Sequence, residues 1–171
     1  MFNRYKAAKL LIYAAAAYLL TIVQSTPGWL EFGGLKPALT FGLAVSVAML
    51  EGEFYGGLFA VWAGLLCDFF SYNKFFYNAL LLFVCCVAVG LLVQTYMRPV
   101  PMNAFLFTAA AVLFSEGVSF FFRIFIQGYP SAGYYWLVHI LPLSLYSALC
   151  ALPLFLLVHW IHQKFESRLQ A

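Results

Sequence analysis

Residues 51–82 read EGEFYGGLFAVWAGLLCDFFSYNKFFYNALLL. Glu51-Gly52-Glu53 marks a tight, acidic turn. An apolar run over 54–70 follows, then a polar break at Ser71-Tyr72-Asn73-Lys74, then a second apolar run. From the turn through the first run, Gly52, Gly56, Ala60, Gly64 and Asp68 recur at every fourth residue. Each step of four drifts by about 40° around a helix, so this stripe winds slowly rather than running straight. Small residues at that spacing let a second backbone approach closely. The stripe is therefore read first as internal packing, and more sharply as a dock for a partner helix.

The same alternation of apolar runs and breaks extends in both directions. Spans are expected at about 8–24, 37–50, 54–70, 75–96, 102–126 and 134–162. A spanning helix needs about 20 apolar residues, with a range of ~17–25. Pro37 suits a first helical position. Span 37–50 is short, so it is thinned, extended by its flanks, or part of a re-entrant hairpin with the next run. Span 134–162 is long enough to tilt or kink, with Pro142 and Pro153 as the kink points. Composition agrees. Of 171 residues, 65% are hydrophobic and only 9% charged, where a soluble domain carries about 25%. Mean hydropathy is +0.91. Nine basic and six acidic side chains cannot cover a water-exposed surface of this size; lipid is the solvent that fits. The expected fold is an all-α integral membrane protein, a single transmembrane domain over residues 1–171 with about six transmembrane helices.

Charge placement sets the orientation. With six spans, Arg4, Lys6, Lys9, Arg98, Lys164 and Arg168 fall on one side, and only Lys36 and Lys74 on the other. That asymmetry predicts both termini in the cytoplasm, whether spans two and three fully cross or form a hairpin. The first apolar run is nearer spanning length than a signal-peptide core, and Ser25-Thr26-Pro27 is a poor cleavage context, so a retained helix is expected. The basic residues form no single patch, which argues against nucleic acid. Cys67, Cys85, Cys86 and Cys150 lie in apolar runs without CxxC spacing and read as small buried residues.

The few polar residues inside the runs carry the remaining information. A carboxylate at a span's centre costs about 2.5–3.5 kcal/mol on insertion scales, so Asp68 is expected to face protein, water or an interface. Asn78 stands just across the turn, where its amide could bond Asp68 or a freed backbone group. Glu116, Ser119 and Arg123 lie at about 0°, 300° and 340°, on one helix face. Glu116 and Arg123 are about 10 Å apart along the axis, so they would meet through Ser119, water or another helix. Asp68, Asn78, Glu116, Ser119, Arg123 and His139 are therefore expected to form an intramembrane polar cluster in the outer half, with charge pairing offsetting desolvation. Glu51 and Glu53 read as a solvated turn. His159 and His162 have i,i+3 spacing but sit among Trp160, Lys164 and Arg168 at a membrane interface. No metal site, cofactor or catalytic residue is expected, because the chain has no nucleophile motif and no third ligand.

Residues 51–82 resemble the rod shape-determining protein family MreD. Gly64, Leu65, Leu66 and Asp68 match its GLL-x-D element, Asn78, Ala79 and Leu80 its NAL element, and Pro37 the proline opening its second span. Ala38 replaces an acidic residue often found there, and Phe76 a usual glycine. The resemblance covers about a third of the chain. It implies a six-span, non-enzymatic component of the bacterial rod, or elongation, complex in the cytoplasmic membrane. The implied partners are an MreC-like bitopic protein, an MreB-like filament and the wall-synthesising polymerase and transpeptidase. It also implies a fold resembling the substrate-binding subunit of energy-coupling-factor transporters. A vitamin-binding transporter subunit is thus the alternative function, disfavoured by the consecutive Ala14–Ala17, which lack an AxxxA repeat.

Overall fold

The computed structural model describes residues 2–26, 28, 35–70, 77–122 and 132–169. They form α1 (Phe2–Ser25), α2 (Leu39–Phe70), α3 (Tyr77–Thr95), α4 (Pro101–Phe120), the single turn α5 (Ala132–Tyr135), a π-helical turn (Trp136–Ile140) and α6 (Leu141–Leu169). Five helical stretches are long and apolar enough to cross a membrane, compatible with an all-α, multi-pass membrane protein. The expected second and third runs, 37–50 and 54–70, fall within one helical element, α2.

That element is not straight. Gly52 has φ 85° and ψ −179°, a conformation open essentially only to glycine. A Cβ built on Gly56 would collide with the Ala48 backbone. Residues eight apart on one helix are about 12 Å apart, so the chain must reverse at Gly52. Residues 39–51 and 53–70 are two antiparallel limbs pressed together where Ala48 meets Gly56. The turn expected at Glu51-Gly52-Glu53 stands, but it is so tight that Gly52 is the one non-helical residue between the limbs.

The other contacts give each helix its direction. Thr21 on α1 bonds Thr40 at 3.0 Å, while Tyr13 bonds Glu51, so α1 runs antiparallel to the first limb. A Cβ on Gly64 would meet Ala79, and one on Gly90 would meet Glu53, so α3 runs antiparallel to the second limb. Gly42 abuts Ala151 and His162 reaches Glu51, so α6 runs parallel to the first limb. Lys9 and His162 thereby share one end of the bundle with Gly52. Residues 38–40, 68, 78 and 147 share the other.

The first limb is the centre of the core. Leu43, Ala44, Val45 and Val47 are almost fully buried, against Tyr13, Leu82, Phe155 and Val158 from neighbouring helices. Its leading N–H groups, which a helix start leaves unpaired, find side chains on other helices. Ala38 N–H donates to Ser147 Oγ at 2.9 Å, and Thr40 N–H to Gln24 Oε1 at 3.3 Å. Outward positions are equally apolar, with Leu11, Leu19, Phe54, Leu58 and Trp62 all exposed. A helix apolar all round suits lipid on its free side. Proline marks the helix starts and breaks. Pro101 opens α4 at a position that needs no N–H. Pro142 stands just after the π-helical turn, where the irregular turn accommodates its missing donor, and Pro153 lies inside α6.

Candidate functional site

Two polar sites stand at opposite ends of the bundle. At one, Asp68 is 2% exposed. Its Oδ1 accepts the Asn78 N–H at 3.2 Å and its Oδ2 the Ala79 N–H at 3.0 Å. These donors belong to the first turn of α3, whose N–H groups have no partner within the helix. The carboxylate thus caps α3 from the preceding helix, where the positive end of the helix dipole favours an anion. The expected Asp68–Asn78 link exists through the Asn78 backbone. Gly64 makes it possible: Ala79 N would lie 2.8 Å from a Cβ there, so any side chain would push α3 away from Asp68.

The other site lies beside Gly52. Glu51 Oε1 gathers the Lys9 ammonium, the Tyr13 hydroxyl at 3.2 Å and His162 Nδ1 at 2.9 Å. Lys9 Nζ also lies 2.8 Å from His162 Nδ1. Lys9 is buried, and the side chains of Glu51 and His162 are only 16% and 18% exposed. On its far side, His162 Nε2 faces the more exposed Glu166 at 3.6 Å. Glu51 is therefore no solvated turn residue. It is the hub of a charged cluster uniting α1, α2 and α6. His159 serves differently: its ring stacks on Phe155 at 5.8 Å, and its Nε2 contacts Gln163 Nε2 at 3.0 Å.

The glycine-spaced stripe faces inward. Gly52 abuts Gln94, Gly56 abuts Ala48 and Gly64 abuts Ala79, and Ala60 is fully buried. Intramolecular packing uses all four, which leaves none of them for a partner helix. The expected outer polar cluster falls only partly within the described residues. Asp68 joins the Asn78 backbone as described. Glu116 and Ser119 are half-buried on α4, and His139 is exposed in the π-helical turn. Arg123 lies outside the described residues, and with it the link that was to join them.

Sequence reasoning missed the Lys9–Glu51–His162 cluster. The available signal was placement: these residues all fell on the same predicted side of the membrane. Comparison with protein families, with curated proteins and with solved structures gives no match.

Proposed function

We propose that this chain is a non-enzymatic membrane scaffold of the MreD kind, supporting lateral cell-wall synthesis beside an MreC-like bitopic protein. The observation that carries the reading is the joint between Gly64 and Asp68 on one side and Asn78 and Ala79 on the other. These residues bear the resemblance to the family's GLL-x-D and NAL elements, and they meet in one contact. A motif whose two halves interlock has a physical reason to occur as a unit: the glycine admits the next helix and the acid caps it.

In this reading the six alternating helical segments, with α2 counted as two limbs, are six passes of the bacterial cytoplasmic membrane. The Gly52 end faces the cytoplasm, because Lys9, Arg98 and Lys164 belong to it and Lys36 to the other. Since the small-residue stripe is used internally, partner docking falls to the outward faces of the bundle. Depleting the protein in a rod-shaped host should give round or swollen cells, and an MreC-like protein should co-purify with it. Normal rods after complete depletion would sink the proposal.

A further inference from the structure

The Gly52 end holds one ring nitrogen with two competing partners. His162 Nδ1 lies 2.8 Å from Lys9 Nζ and 2.9 Å from Glu51 Oε1. A neutral nitrogen cannot serve both in the same way. If Nδ1 carries no proton, it accepts from the Lys9 ammonium, which has hydrogens enough to donate to Glu51 as well. The ring proton then sits on Nε2, on the side of Glu166. If the ring is doubly protonated, Nδ1–H donates to Glu51. Lys9 then loses an acceptor and faces a second positive charge at contact distance.

We propose that His162 is a proton-operated latch between α1 and α6. The neutral ring ties Lys9, and with it α1, to α6 and the tip of the α2 hairpin. The protonated ring turns to Glu51 and Glu166 and loosens α1. Among the described residues, the ionisable groups gathered at the ring and its Glu51 partner are Lys9 and Tyr13 from α1, Glu51 from α2 and Glu166 from α6. His159 and Lys164 stand on α6 itself. α4, which also packs on α6, has no ionisable side chain over residues 101–115. Histidine is the side chain whose charge ordinarily changes between about pH 5 and pH 8. The latch is independent of any role in cell shape, since it concerns only how the chain's own helices hold together.

The test is amide hydrogen exchange of α1 in the full-length protein in lipid nanodiscs, corrected for the intrinsic effect of pH on exchange. Between about pH 8 and about pH 5, α1 should exchange about tenfold faster in the wild-type protein, the scale of losing one charge-assisted hydrogen bond. His162→Gln keeps an oxygen that can accept from Lys9 but cannot gain charge, so its α1 exchange should be flat with pH. Unchanged exchange in the wild-type protein, or a wild-type pH response in His162→Gln, overturns the latch. A second readout needs no variant. In the ¹⁵N spectrum of histidine-labelled protein, His162 should carry its proton on Nε2 alone at about pH 8 and on both nitrogens at about pH 5. A proton on Nδ1 at both ends of that range overturns it as well.

Discussion

The two chain reversals on either side of residues 53–70 solve the same problem differently. Each brings a small residue against a neighbouring backbone and each buries an acid. At the far end, peptide groups ten and eleven residues along the chain answer Asp68. At the Gly52 end, Glu51 is answered by side chains 38 and 111 residues away and by Lys9. One end is a local joint that can form as soon as two adjacent helices exist. The other closes only when the first and last helices have both arrived, so it records the completed bundle.

The largest effects should come from the contacts the two reversals share. Gly64→Leu and Gly56→Leu each place a side chain where a neighbouring backbone already lies. Overpacking against backbone that cannot yield should cost at least about 3 kcal/mol, seen as loss of monodisperse protein or a large drop in thermal midpoint in detergent. A mild effect at either position would mean that this reversal is looser than the geometry states.

Next in size, and most diagnostic of the difference, is Glu51→Leu. It leaves the Lys9 charge buried without its carboxylate and should cost about 3 kcal/mol. Adding Lys9→Met removes the stranded charge, so the double variant should regain most of that loss. Asp68→Ala should cost about 2 kcal/mol through two lost charge-assisted bonds, and no second side-chain deletion should restore it, because the stranded groups are backbone N–H. Asp68→Asn, which keeps one acceptor, should fall between Asp68→Ala and the wild type. If Lys9→Met fails to rescue Glu51→Leu, the cluster is not the unit its distances describe.

The same contrast divides what is legible in the amino-acid sequence from what is not. The turn at Glu51-Gly52-Glu53 and the nearness of Asp68 to Asn78 depend on neighbours in sequence, where helical spacing and turn chemistry are informative. The internal use of Gly56 and Gly64 is legible as small-residue spacing, though its partners Ala48 and Ala79 are not. The Lys9–Glu51–His162 cluster is illegible for the opposite reason. Lys9 and His162 are 153 residues apart, and nothing local distinguishes a charge at a solvated helix end from one turned inward. Hydropathy treats all three as boundary markers, because an acid at a hairpin tip and a lysine at a helix start are ordinary at a membrane surface. Tertiary packing turns them inward.

The smallest expected effect has the opposite sign and isolates what the contact glycines do. Gly117 sits inside α4, and a Cβ there would meet nothing within 4 Å. Alanine loses less backbone freedom than glycine on entering a helix, so Gly117→Ala should stabilise the protein by about 0.5–1 kcal/mol, a small rise in thermal midpoint. Gly64→Ala makes the same chemical change on another apolar helix, yet its Cβ would strike Ala79, so it should destabilise. The pair separates helix propensity from backbone approach. If both substitutions raise the midpoint, Ala79 can give way, and the interlock between the Gly64–Asp68 segment and the start of α3 is not what holds that reversal. If Gly117→Ala lowers it, the outer face of α4 at that position is covered by something other than lipid.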